Sequence, residues 1–88
     1  MKVKIAIHGY LDRRFINLEK EVKIRDGSTA KDLFSKISKD IKVDVLEILT
    51  KGAPVTMVNT ERLEIPKDLS RKLVDGDEVV ILQPLAGG

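Results

Sequence analysis

Two glycines close the sequence, Gly87 and Gly88, behind an apolar run of Pro84, Leu85 and Ala86. Glycine carries no Cβ and takes either sign of φ. Such an end can enter a channel too narrow for a side chain and present an unhindered carboxylate there. A carboxylate is a poor electrophile at neutral pH, so acyl chemistry at Gly88 requires activation from outside. Pro84 lacks the backbone N–H needed to continue a sheet ladder. Pairing is therefore expected to end near Gln83, with 84–88 as a flexible tail. Five extended residues span about 16 Å.

Other chemistry-bearing residues make weaker sites. His8 is the sole histidine and stands without a Cys/His/carboxylate cluster. Asp75 and Asp77 flank Gly76 and read as turn residues rather than an acid–base pair or metal ligands. Lys51-Gly52 lacks the glycine spacing of a phosphate loop. Arg13 and Arg14 read as a solvated connection. The absence of cysteine excludes disulfides, thiolate metal sites and a thiol nucleophile, so any sulfur must be supplied by another molecule. No metal site or intrinsic cofactor is expected.

The elements that must position the tail are legible in the hydrophobic pattern. Val3, Ile5 and Ile7 alternate with polar or small residues, the period of a half-buried strand closed by His8-Gly9-Tyr10. A second strand falls within 15–25, where Ile16, Leu18, Val22 and Ile24 share a phase that Lys20 interrupts. That interruption suggests a bulge or a late start. The two strands form an antiparallel hairpin. Thr29 with Asp32 approximates a capping box. Ala30, Leu33, Phe34, Ile37 and Ile41 then trace one helical face. Asp44, Glu47 and Gly52 bracket a short second helix.

Val55 to Val58 reads as a strand after Pro54, 59–62 as a turn, and Leu63 with Ile65 as a short return. Leu69 and Leu73 are expected to plug the core from a loop or one helical turn. Asp75-Gly76-Asp77 is a tight turn leading to the last strand, Val79 to Leu82, whose apolar residues in both phases suit a central position. The pattern predicts an α+β fold, a single twisted sheet with the helix on one side and the last strand parallel beside the first. Val80 and Leu82 belong either to a docking patch on the free face or to the core.

Eighty-eight residues make one small domain, here 1–83 plus the tail, burying only about 60% of its unfolded surface. Little room remains for a deep substrate pocket. Sixteen basic and fourteen acidic residues are interspersed for a net charge of +2. With Tyr10, Phe15 and Phe34 as the aromatics, neither nucleic acid nor a stacking platform is indicated. No signal-like start or membrane-length apolar run is present, which predicts a cytoplasmic protein without membrane association.

Taken together, Val55-Thr56-Met57-Val58-Asn59, the Leu73-x-Asp75-Gly76-Asp77-Glu78-Val79 run, Asp26-Gly27-Ser28-Thr29 before the helix and the Pro84-Leu85-Ala86-Gly87-Gly88 end resemble the β-grasp, ubiquitin-like sulfur carriers. The nearest likeness is to the small subunit of molybdopterin synthase, with the thiamin-pathway sulfur carrier as a relative. Gln83 departs from the pattern, standing where many members carry the first of two prolines. The resemblance implies a mixed sheet of four to five strands with one main helix and a short second one.

It further implies that an E1-like adenylyltransferase uses ATP and Mg²⁺ to adenylate Gly88, and that a sulfur donor converts it to a thiocarboxylate. That group then serves an acceptor enzyme such as the molybdopterin synthase large subunit. Pro84, Leu85, Ala86 and Gly87 would line the partner's channel, and the partner would hold the catalytic groups. Conjugation of Gly88 to target lysines, and a role in thiamin synthesis or tRNA thiolation, use the same activation. A third expectation is a non-catalytic ubiquitin-like interaction module with an idle tail.

Overall fold

The computed structural model describes residues 1–11, 13–52 and 54–83. Among them, β1 (Lys2–Leu11) and β2 (Arg14–Lys23) form a hairpin, followed by helices α1 (Ala30–Ile41) and α2 (Val45–Thr50). The chain continues through β3 (Val55–Val58), β4 (Glu61–Arg62), a 3-10 turn (Lys67–Ser70) and β5 (Glu78–Leu82). The strands form one five-stranded sheet in the order β2-β1-β5-β3-β4. β5 runs parallel to β1 and antiparallel to β3, so the expected central position and parallel pairing are both found.

β1 runs further than the expected close at His8-Gly9-Tyr10. Tyr10 pairs with Phe15 and Leu11 with Arg14, because β2 begins at Arg14 and gives the extra residues partners. The β1–β2 register is continuous, and Lys20 causes no bulge. Lys20 sits opposite Ile5 on the helix-facing side and reaches the edge, where its ammonium lies 3.3 Å from Asp40. A lysine can cover apolar surface with its stem while its charge stays wet. Arg14 is also more than a solvated loop residue. Its guanidinium donates to the carbonyls of Ile41 (3.1 Å) and Lys42 (3.3 Å), filling acceptors left open at the end of α1.

The helices begin where their caps predict. Thr29 Oγ1 accepts from the Asp32 N–H and the Asp32 carboxylate accepts from the Thr29 N–H at 2.8 Å, a complete capping box. Ala30, Leu33, Phe34 and Ile37 are buried against the sheet. Asp44 Oδ1 accepts from the Glu47 N–H at 3.1 Å to start α2. Ser38 ties the helices together: its hydroxyl donates to the Phe34 carbonyl and accepts from the Val45 N–H, a donor that α2 cannot satisfy internally.

The return strand β4 lies inside the segment expected to be a turn. Asn59 and Thr60 both take positive φ (49° and 73°), which closes the hairpin in two residues and lets Glu61–Arg62 pair. Leu73 is buried, and Leu69 packs against the core from the 3-10 turn. No helix among the described residues is long and apolar enough to cross a membrane.

Two predictions follow from the interior and the cap. Thr56 is 1% exposed, and its hydroxyl has no hydrogen-bond partner among the described residues. Thr56→Val removes a desolvated polar group at constant shape and should stabilise by about 1 kcal/mol. Thermal denaturation should move up by about 4–8 °C; a lower midpoint would mean the hydroxyl is satisfied.

The Thr29 N–H, and next its hydroxyl, hold the Asp32 carboxyl below the ordinary carboxylate range. A lowered folded pKa gives stability that is present above the unfolded value and is lost as pH falls through the folded one. Urea melts of wild type and Asp32→Asn should therefore differ at neutral pH and converge in acid.

Candidate functional site

The last strand is fastened at its start. The Asp75 carboxylate accepts from the Lys2 N–H at 2.7 Å, and the Gly76 N–H donates to the Lys2 carbonyl at 2.8 Å. Asp77 is 5% exposed. One of its carboxylate oxygens accepts from Asn59 Nδ2 (2.7 Å) and the other from the Val74 N–H (2.8 Å). Asn59 returns the contact: its Oδ1 accepts from the Glu78 N–H at 2.9 Å. Both carboxylates of the Asp-Gly-Asp turn thus hold backbone, consistent with turn residues rather than an acid–base pair. The turn binds β5 to β1 on one side and to the β3–β4 hairpin on the other.

From that anchor the side chains of β5 alternate. Val79 and Ile81 are buried beneath α1, whereas Val80 and Leu82 lie on the face that no helix covers. At the strand's far end Leu82 pairs with His8, and the Gln83 N–H donates to the His8 carbonyl at 3.0 Å. Pairing reaches Gln83, the last described residue before the proline. The tail residues Pro84, Leu85, Ala86, Gly87 and Gly88 lie outside the described residues.

The uncovered face has an apolar band that runs toward the same end. Met57 pairs with Val80, which pairs with Ala6; Val55 pairs with Leu82, which pairs with His8. Tyr10 and Phe15 continue it on the projecting β1–β2 hairpin, their rings edge-to-face with centroids 5.3 Å apart. These rings are 54% and 62% exposed, and Leu82 is 37% exposed. Lys4, Glu21 and Glu78 border the band at the opposite end.

Residue-by-residue reading picked out Val80 and Leu82 but missed Tyr10 and Phe15. Their phase carries the signal: each falls out of step with the inward residues of its own strand, provided β1 continues through Gly9.

His8 stands within this face rather than in a catalytic cluster. Its Nδ1 lies 2.6 Å from Asn17 Oδ1 and its Nε2 lies 3.7 Å from Glu19. No group of three or more His, Cys, Asp or Glu able to hold a metal occurs among the described residues. The described surface offers a face to bind and a strand that ends beside it.

Comparison with known proteins decides the family. Residues 11–88 match the model of the ThiS family. The chain belongs to the ThiS family. ThiS-family proteins are small ubiquitin-like sulfur carriers that work with E1-like activating enzymes and acceptor enzymes, and the carrier fold is generally non-catalytic. The chain is also 25% identical over its whole length to an uncharacterized protein from Archaeoglobus fulgidus, itself covered in full.

Among solved structures, the fold is shared with SAMP1 from Haloferax volcanii. The TM-score is 0.68, with 16% identity and full coverage of both chains. It is shared also with a ubiquitin from Caldiarchaeum subterraneum, at a TM-score of 0.60 and 16% identity, covering 100% of this chain and 98% of the other. The ThiS-family β-grasp sheet and its packed helix are thereby established.

Asp77 is the residue on which the position of the last strand turns. Asp77→Ala should destabilise the fold by about 2 kcal/mol, because it removes two charge-assisted hydrogen bonds, from the Val74 N–H and the Asn59 amide, to a carboxylate that is 5% exposed. Urea denaturation monitored by circular dichroism measures this; a loss near zero would show that the Gly76 turn alone sets the strand.

Proposed function

We propose that this ThiS-family protein carries sulfur as a thiocarboxylate on Gly88, with molybdenum or tungsten cofactor synthesis as its route. The observation that carries the reading is the position of β5. The strand that leads into Gly87 and Gly88 is central in the sheet, clamped at its start by Asp75 and Asp77 and bonded as far as Gln83, the last described residue. A rigid origin followed by five residues without a bulky polar side chain suits delivery of a chain end into a partner's active site.

In the proposed cycle a Gly88 carboxylate oxygen attacks the α-phosphorus of ATP, held with Mg²⁺ by an E1-like adenylyltransferase. Pyrophosphate leaves and an acyl-adenylate forms. Hydrosulfide, or a donor equivalent to it, then attacks the acyl carbon. The carbon–oxygen bond to AMP breaks, a proton is released, and the thiocarboxylate remains. Its sulfur is a better nucleophile than a carboxylate oxygen and can attack a substrate inside an acceptor such as a molybdopterin synthase large subunit. Pro84, Leu85, Ala86 and Gly87 pass along the channel, where a side chain at either glycine would crowd the reacting carbon. Val80 and Leu82, with Tyr10 and Phe15 beside them, form the docking face. Catalytic groups stay on the partners, and the setting is cytoplasmic.

Intact-mass measurement after incubation with an E1-like enzyme, ATP and sulfide tests the chemistry. Wild type should exchange one terminal oxygen for sulfur, and a variant lacking Gly88 should not. No exchange with any cognate activator sinks the carrier reading. Isopeptide-linked species, captured from cells with no thiocarboxylate detectable, would instead make the protein a modifier conjugated through Gly88. Docking is tested separately: Leu82→Lys should raise the KM for the carrier about tenfold while leaving kcat unchanged. An unaltered KM would remove the sheet face from the interface.

A further inference from the structure

Gly9 stands apart from the other glycines with positive φ. Gly27, Gly52 and Gly76 occupy turns, and a Cβ built on any of them meets nothing within 4 Å. Gly9 lies inside β1 with φ +120°, opposite Ile16 of β2. A Cβ at that position would fall 2.8 Å from Gln83 Cβ and 2.9 Å from the Gln83 carbonyl oxygen. The first contact is relieved only by moving the start of a side chain, and the second only by moving backbone.

Because His8 pairs with Leu82, Gly9 is level with Gln83, and the Gln83 N–H donates to the carbonyl immediately before Gly9. Two absences thus meet at one point. Gly9 lacks the side chain that would push Gln83 away, and Gln83 is the last residue before one that has no N–H to give.

We propose that Gly9 is a positioning residue for the reaction at Gly88, acting through Gln83. Its bare backbone forms a seat that holds Gln83 against β1 and so fixes the point from which the tail departs. The inference rests on the carrier reading above. From Gln83 to Gly88 an extended chain spans about 16 Å. Unseating Gln83 adds one residue of slack, about 3.3 Å, whereas reacting groups must be aligned within about an ångström. Docking through Val80 and Leu82 is untouched by this slack, so the seat governs the chemical step rather than the encounter.

The test uses the full chain with an E1-like enzyme and ATP, comparing wild type, Gly9→Ala, a variant with one glycine inserted after Gln83, and Gln83→Ala. Gly9→Ala introduces the clash. The insertion adds one residue of slack, about 3.3 Å, while leaving Gly9 as it is, which guards against a Gly9 variant that merely folds poorly. Gln83→Ala keeps both the N–H and Cβ and serves as the conservative control.

Amide hydrogen exchange should show protection of residue 83 in wild type and Gln83→Ala, and its loss in Gly9→Ala. Adenylation by Gly9→Ala and by the insertion variant should fall about tenfold or more in kcat. KM for the carrier should stay within about twofold of wild type, with Gln83→Ala at the wild-type rate. Wild-type kcat in Gly9→Ala or in the insertion variant, or undiminished protection at residue 83 in Gly9→Ala, overturns the proposal. A wild-type protein that no activator adenylates overturns the carrier reading itself, a different result from wild-type and variant proteins adenylated alike.

Discussion

The pairing of β5 with β1 on one side and β3 on the other is the constraint on which the structure depends. Without β5 the described sheet is two separate hairpins, β1–β2 and β3–β4, each too small to be stable alone. β5 joins them and supplies Val79 and Ile81 to the core beneath α1. The parallel contact spans most of the chain, with Lys4 opposite Glu78, and contacts so distant in sequence carry a large loop-closure cost before they are rewarded. The turn residues offset part of it. Asp75 grips the Lys2 backbone and Asp77 grips Asn59, so β5 is registered against both neighbours before its apolar residues begin. The strand that completes the fold is also the one that leads to the tail, so the tail is correctly placed only when the body has folded.

Those same residues explain how much of the molecule could be read before its structure. Local signals were faithful. The period-2 run Val3, Ile5, Ile7 marked β1, the Thr29–Asp32 box and the Asp44 cap marked both helix starts, and apolar residues in both phases marked β5 as central. What escaped reading depended on partners. Gly9-Tyr10 resembles a strand end, and only the ten-residue length of β2 keeps β1 extended through it. Lys20 looks like a break until Asp40 is brought to the sheet edge by α1. Glu61–Arg62 looks like a turn because threonine is a poor candidate for the positive φ that Thr60 adopts. The apolar face was half-legible for the same reason. Val80 and Leu82 are neighbours of the tail in sequence, whereas Tyr10 and Phe15 reach it only through the sheet register.

The open face also shows how a small body leaves apolar surface exposed without inviting edge-to-edge association. The outer edge strand β2 carries Glu19, Lys20, Glu21 and Lys23 along half its length, and charged side chains on an edge discourage another strand from pairing there. The apolar band lies inward from these charges, over β1, β5 and β3, with the aromatic pair at one end. On the proposed docking, partners meet a face rather than an edge. Recognition on such a face is set by side chains and can be altered without disturbing the ladder beneath.

A carrier with this layout separates two demands that a single enzyme site must meet together. Val80 and Leu82 point away from the core, so their affinity for a partner can change without altering the position of Gln83. On the proposal above, the Gly9 seat faces the Gln83 backbone and Cβ within this chain, so it is indifferent to which partner has docked. On the carrier reading, the activating enzyme and the sulfur acceptor must both accept the same protein in turn. A face of moderate apolar area permits release between them, and a tail origin held by the fold spares each from ordering it anew. Selective pressure then falls on two different surfaces. The sheet face answers to partner identity, and the contact of Gly9 with Gln83 answers to the geometry that every partner shares.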